Sequence, residues 1–380
     1  MRFDLLIRGA RLVDALRPTA GRQDVAFAGD TVAAVGDLSG AEAGQTIDAA
    51  GLIVTPGLVD LHAHVYWGAS GLGIDHGPVW AKSGTTTIVD GGSAGAANFA
   101  AFRRFIIEPS RCRLLAFLNI SALGLTGSSL AGEASTIGYC DVGEAVRVVE
   151  ENRDVVVGVK VRAERDAVGQ NGLASLDLAL AAAERVGVPV MVHAGQTPPA
   201  LASILGRLRR GDILTHCYTD LGDTVLNAAG HVRDYVWQAR ERGVWFDCAH
   251  GSRRLSFAVA RAALADGFAP DSISTDLNTL DIARPVVDLP TTMSKLLNLG
   301  MSLEDVVARS SALPAQMIGW GGRLGSLQAG CAGDLVAFEL QDGAFSFYDS
   351  RGAEMVGRQR LQVRFTVRAG RLAYPIEAKQ

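Results

Sequence analysis

The chemistry of this chain starts at two histidines two residues apart, His62 and His64, in the run TPGLVDLHAHVYWG. On a β-strand, side chains two apart share a face, so both imidazoles can reach a single ion. One His-x-His pair is a weak signal, because structural histidines are common. Three more candidates follow the same pattern: His193 ends the apolar run VPVMVHAG, His216 ends ILTHCY, and Asp276 ends ISTDL. Four histidines and a carboxylate at the same end of several apolar runs form a ligand set suited to a divalent metal.

Lys160, in GVKVRA, adds a different kind of group. Only four of the 36 basic residues are lysines (Lys82, Lys160, Lys295 and Lys379), so a lysine inside an apolar strand stands out. An ammonium beside metal ions would be repelled, and burial would favour the neutral amine. A neutral amine can react with carbon dioxide to give a carbamate, which is anionic and bidentate and can bridge two divalent ions. The competing reading is a buried lysine paired with an acid.

These ligands need elements that bring them to one place. Eight candidate strands run through the middle of the chain: Leu58–Tyr66, Thr85–Asp90, Arg113–Ser121, Val155–Arg162, Val188–Gly195, Asp212–Tyr218, Val244–His250 and Ser272–Asn278. Most gaps between them are long enough for a crossover helix. After the fourth strand, Leu173, Leu176, Leu180 and Ala183 are spaced for one helix face. Eight strands with interposed helices predict an α/β fold, a (β/α)8 TIM barrel spanning 56–324, whose sites lie at the C-terminal ends of the strands. The short β-like runs of 1–55 and 325–380 predict a small β-sandwich domain built from both termini. Alternation predicts Val59, Leu61, Ala63 and Val65 facing the helices, with Asp60, His62, His64 and Tyr66 facing inward. It likewise predicts Val155, Val157, Val159 and Val161 opposite Lys160 and Arg162. The Gly/Ser/Thr-rich stretch Leu123–Tyr139 is expected to cover the site as a mobile loop.

Composition narrows the functional classes. With 380 residues, 48% hydrophobic and 20% charged, the chain can bury a large core. A net charge of -4 argues against a nucleic-acid or anionic-membrane surface. Five scattered cysteines argue against a disulfide framework and for a reducing compartment, and no apolar run is long enough to span a membrane. The expectation is a cytoplasmic enzyme acting on a small molecule. The Gly-rich loops at 68–77 and 91–95 lack the spacing and lysine of a phosphate cradle. Cys217 and Cys248 neighbour the site, but a site built on metal ligands needs no thiol nucleophile.

Together, TPGLVDLHAHVYWG, GVKVRA around Lys160, ILTHCY around His216 and ISTDL around Asp276 resemble the amidohydrolase superfamily in its binuclear, carboxylated-lysine subtype. The likeness is nearest to the dihydroorotase-like amidohydrolase/deacetylase branch and covers the whole chain. It implies two metal ions, with zinc the expected pair. His62, His64 and Asp276 would hold the more buried ion, His193 and His216 the more exposed one, and carboxylated Lys160 would bridge them. It further implies a metal-bridging hydroxide as nucleophile, with Asp276 moving the proton to the leaving group. Members of the branch remove acetyl groups from N-acyl amino acids or acetylated hydroxy acids, and members of the superfamily often form larger assemblies, so a homo-oligomer is compatible with the resemblance.

Three residues are expected to touch substrate: Tyr66 through an oxyanion contact, Arg162 as a clamp for a substrate carboxylate, and His250 at the mouth. Authentic dihydroorotases tend to carry an arginine two residues after the His-x-His pair. Here that position is Tyr66, which demotes cyclic-amide hydrolysis of the dihydroorotase or hydantoinase kind to the second reading. Asn278 stands where close relatives often have a histidine, which leaves the usual substrate open. The third reading is a catalytically inactive scaffold, against which the intact ligand set argues.

Overall fold

In the computed structural model, residues 2–17, 21–127 and 133–374 are described. One sheet draws on both ends of the chain. From the N-terminal side come β1 (Arg2–Leu12), β2 (Arg22–Ala28), β3 (Thr31–Gly36), β4 (Glu42–Asp48) and β5 (Ile53–Pro56). The barrel strands follow as β6 (Leu58–Ala63), β7 (Thr85–Asp90), β8 (Arg113–Asn119), β9 (Val156–Ala163), β10 (Val190–Ala194), β11 (Ile213–Thr215) and β12 (Trp245–Asp247). The C-terminal side contributes β13 (Leu335–Tyr348), β14 (Glu354–Arg368) and β15 (Arg371–Tyr374). The terminal sheet runs β15-β14-β13-β5-β1-β2-β3, with β4 also paired to β1. Its own core includes Ile7, Val25, Phe27, Val54, Leu335 and Phe365. Segments 279 to 285 residues apart in sequence therefore meet through the antiparallel pairing of β5 with β13.

The central region is a (β/α)8-type barrel. Strands β6 to β12 form one parallel sheet in sequence order. The expected crossover helix after β9 spans Ala174–Val186, buries Leu176 and Ala183, and ends at Gly187 with φ 70°. Glycine is the residue that takes this left-handed cap without a Cβ penalty. No helix among the described residues is long and apolar enough to cross a membrane.

The eighth strand departs from expectation. Residues 272–278 make no ladder, only single bridges from Ser272 to Asp247 and from Leu277 to Ala63. The segment still closes the barrel. Cys248 N and His250 N donate to Ser272 O and Ser274 O on one side, at 2.9 and 3.1 Å. On the other side Asp276 N donates to His62 O at 2.6 Å and His64 N to Leu277 O at 2.9 Å. The break has a local cause: Asp276 sits at φ 50°, outside the extended region, so the ladder cannot continue through it.

The predicted face alternation also fails at two bulges. On β6, Asp60 pairs with Ile88 and Ala63 with Asp90, so three steps oppose two. Val59 and Leu61 consequently join Val89, Leu115, Phe117, Val157, Met191 and Ile213 in one cluster, while Ala63 and Val65 pack in the main core. That cluster lies inside the barrel, because Met191 is the register partner of Lys160 and its Sδ is 3.5 Å from Lys160 Nζ. A second register shift, between Ala116 and Phe117 on β8, places Val157 in the same plug. The barrel floor is thus sealed by apolar side chains beneath the polar layer.

Candidate active site

His62, His64 and Asp276 bring ligand atoms within 4.8 Å of one another, and all three are buried. His64 Nε2 is 3.1 Å from Asp276 Oδ1, and His62 Nε2 is 3.5 Å from the same oxygen. The other ring nitrogens face the protein: His62 Nδ1 is 3.0 Å from Thr215 Oγ1, and His64 Nδ1 is 2.9 Å from Ser93 Oγ. Thr215 Oγ1 in turn donates to Asp247 Oδ2 at 2.8 Å. Such backing fixes each ring so that Nε2 points to a common centre.

His216 is oriented the same way. Its Nδ1 is 2.9 Å from Ala249 O, leaving Nε2 to face His193 Nδ1 at 3.0 Å. Because the Ala249 carbonyl only accepts, His216 Nδ1 carries the proton and Nε2 the lone pair. His193 is reversed: Nδ1 points inward and Nε2 lies 3.2 Å from Glu164 Oε1. Burial holds the imidazoles of His62, His193 and His216 below their usual range, His193 at about 3. They are neutral imidazoles at neutral pH.

Lys160 adjoins the first of these groups. Its Nζ is 3.0 Å from His62 Nε2. Among the described residues no carboxylate comes within ion-pair distance of it, against the reading of a lysine paired with an acid. Burial lowers its amine to about 8. Burial raises the Asp276 carboxyl, but His62, His64 and His216 outweigh it and hold that group well below the ordinary carboxylate range.

Two glycines make this packing possible. A Cβ on Gly91 would collide with the His62 ring, and one on Gly92, at φ 89°, would come within 2.5 Å of Lys160 Cβ and Cγ. The pair follows β7 directly. On the opposite side His216 (φ 69°), Ala249 (φ 35°) and Asp276 (φ 50°) hold left-handed backbone without being glycine. Non-glycine residues in such conformations cluster at functional sites.

A cavity of about 330 Å³ opens over the ligands, lined by His64, Lys160, Arg162, His193, Arg254 and Asp276 among others. Arg162 reaches it, but its Nη1 is held by Glu133 Oε2 at 2.9 Å and its Nη2 by Glu164 Oε1 at 2.5 Å. Tyr66 does not reach it: the hydroxyl donates to Asn98 O at 3.2 Å and the ring packs on Phe102. His250 is sealed off, with Nε2 2.7 Å from Lys295 Nζ and Nδ1 2.9 Å from Gly251 O. Of the Leu123–Tyr139 stretch, Leu125 and Glu133 line the cavity, and 128–132 lie outside the described residues. Asn278 also lines it and donates to Asp276 O at 2.8 Å. Glu133, Glu164, Arg254 and the Gly91–Gly92 pair escaped the sequence reading. Only the glycine pair, directly after a strand, carried a usable signal.

The amidohydrolase family model matches residues 53–372. A deacetylase of Agrobacterium fabrum (strain C58) is 38% identical over 334 residues, covering 87% of this chain and 81% of that protein. A deacetylase of Enterococcus faecalis is 31% identical over 98% of this chain and 99% of its own length. Among solved structures, a dihydroorotase superposes with TM-score 0.89 at 35% identity, covering 98% of each chain. An adenine deaminase superposes with TM-score 0.92 at 30% identity, covering 98% of this chain and 100% of its own. With the barrel, the ligand set and these likenesses in agreement, the chain belongs to the amidohydrolase family and is a hydrolase of its dihydroorotase-like branch.

Proposed function

We propose that the protein is a binuclear metal-dependent hydrolase that removes an acyl group from a small acylated acid, an N-acyl amino acid or an O-acetyl hydroxy acid. The observation that carries the reading is the convergence of lone pairs in two adjoining groups, with the Lys160 amine beside the first. His62, His64 and Asp276 meet in one, His193 Nδ1 and His216 Nε2 meet at 3.0 Å in the other, and His216 Nε2 is 3.8 Å from Asp276 Oδ2. Opposed lone pairs repel unless a cation or a proton lies between them. Burial brings the acid-free Lys160 amine to about 8, which raises its neutral fraction and fits carbamate formation: the neutral nitrogen bonds to the carbon of CO2 and a proton leaves. The donor set of imidazoles and carboxylates suits zinc and also manganese, iron or cobalt. The deacetylase relatives support the acyl-transfer class.

Divalent ions in these positions would acidify a water and polarise a carbonyl oxygen. The residues supply the rest. Asp276, ionised and 3.1 Å from His64, accepts the proton of the attacking water and returns it to the leaving nitrogen or oxygen. The apolar plug below excludes bulk water from the floor, so the cavity opens on one side only. The catalytic unit is assigned to 56–324 and the accessory β-sandwich to 1–55 with 325–380.

Cyclic-amide hydrolysis is the second reading, favoured by the superposition on a dihydroorotase. A hydrolysis screen separates the two. Enzyme loaded with zinc and bicarbonate, its metal content measured, is offered N-acetyl D- and L-amino acids, O-acetyl hydroxy acids, dihydroorotate, hydantoins and adenine. Turnover of the acyclic acids is expected. Turnover confined to the cyclic amides or adenine would overturn the proposal, and a folded protein with no metal uptake would overturn both readings.

A further inference from the structure

Three arginines line the cavity: Arg162, Arg253 and Arg254. Their charges are not equally available. Arg162 spends both terminal nitrogens on Glu133 and Glu164. Arg254 Nη2 donates to both oxygens of Glu164, at 3.2 and 2.9 Å. Two guanidiniums therefore face two carboxylates, and this part of the wall is neutral. Arg253 is exposed and has no ion pair among the described residues, so the wall keeps one positive charge in excess.

Arg254 Nη1 is the anomaly. It is buried and has no hydrogen-bond partner among the described residues. It lies against Gly195, where any Cβ would strike both it and Glu164. A buried donor without an acceptor is costly, and a native fold keeps one where something outside the protein completes it. Arg162 also has an orphan nitrogen, Nε, but both of its terminal nitrogens are occupied, whereas Arg254 keeps one of its two free. Arg254 stands one carboxylate away from the ligand histidines, because the same Glu164 lies 3.2 Å from His193 Nε2. An anion held there belongs to a short acid, with its carboxylate close to the scissile bond.

We propose that Arg254 receives the substrate's carboxylate through Nη1. Glu164 holds the plane of its guanidinium, and Arg253 adds positive charge at the rim without a fixed contact. This takes over the clamp role that the sequence suggested for Arg162, and it rests on the acyl-acid reading above. It makes Arg254 the residue that sets specificity for acids over neutral esters.

The test uses full-length, metal-loaded enzyme. Binding of lactate, a product-type acid, is measured by calorimetry at fixed ionic strength. O-acetyl lactate and its methyl ester are compared as substrates. In Arg254→Met, lactate affinity is expected to fall about 10- to 100-fold and KM for the acid to rise by a similar factor, as for loss of a charge-assisted contact. The methyl ester should change little, and Arg253→Ala should lose severalfold less than Arg254→Met. Arg254→Lys serves if the Met variant fails to fold or to load metal; it keeps the charge beside Glu164 but lacks the second nitrogen. Lactate binding that is absent in the parent, unchanged in the Arg254 variant, or lost mainly in Arg253→Ala would overturn the assignment. Equal losses for acid and ester would reduce Arg254 to a structural part of the wall and would overturn it as well. Arg254-dependent lactate binding without turnover of any acylated acid would leave this inference standing and remove the proposed reaction instead.

Discussion

Strands β9 and β10 present Lys160 and His193 from ladder pairs and β6 presents His62 from inside its bulge, whereas the arc from Thr215 to Asp276 presents His216 and Asp276 from backbone that has left its ladder. The first arc needs space, and Gly91 and Gly92 provide it by withholding a Cβ beside His62 and Lys160. The second needs turns, and His216, Ala249 and Asp276 make them at positive φ. Each such residue costs about 1–2 kcal/mol, and around Asp276 main-chain bonds to both neighbouring strands offset it. Ladders thus fix where a side chain starts, and irregular backbone aims it.

The contrast can be broken first at Lys160. Lys160→Ala should reduce kcat/KM by roughly 10³-fold or more, since both proposed ions share this one ligand. Metal content should fall with it, and propionate should restore part of the activity. Full activity and two ions per chain in this variant would remove the bridging role. On the irregular arc, Asp276→Asn should lower kcat by about 10²- to 10⁴-fold, the range of a general acid–base group. Activity that survives it would move proton transfer elsewhere.

Clearance on the regular arc comes next. Gly91→Ala pushes directly on the His62 ring, so metal affinity should drop about 10- to 100-fold, as when the support of a ligand is lost. Titration of the metal-free variant with zinc measures it, and an unchanged affinity would mean that β7 shifts freely.

Behind the irregular arc, His250 and Lys295 form a buried pair 2.7 Å apart. Burial holds Lys295 at about 7 and, with the Lys295 charge, His250 at about 3. The unfolded chain binds these protons more readily, so the pair favours the folded state most at high pH. Stability should fall as pH drops from 10.5 to about 7 through Lys295, and again from 6.5 toward 3 through His250. Denaturant unfolding of metal-free protein across this range checks the sign, and Lys295→Met should flatten the upper part. The smallest effect is expected at Ala249→Gly, where relief of a positive φ and loss of a buried methyl nearly cancel, within about 1 kcal/mol. A much larger change would show that Ala249 does more than turn the chain.

The barrel and the strands that carry the six proposed ligands were legible in the sequence, because His193, His216 and Asp276 end apolar runs, Lys160 interrupts one, His62 and His64 share a strand face, and strand periodicity is a local property. The same periodicity misassigned Val59, Leu61 and Val157, since a bulge moves every later residue to the other face and leaves no mark in composition. It also overreached at Tyr66 and His250, which lie beyond the last ladder pairs of β6 and β12, where alternation no longer governs direction.

The residue types that can ligate, their order along the chain and the strand that carries each were determined by the sequence alone, through covalent chemistry and a two-residue repeat. Tertiary structure decided which nitrogen each imidazole turns inward and which arginine keeps a free donor. Those outcomes depend on partners distant in the chain. Thr215 backs His62 across 153 residues, and Glu164 and Arg254 meet across 90. No local pattern encodes a proximity that exists only once the barrel has closed.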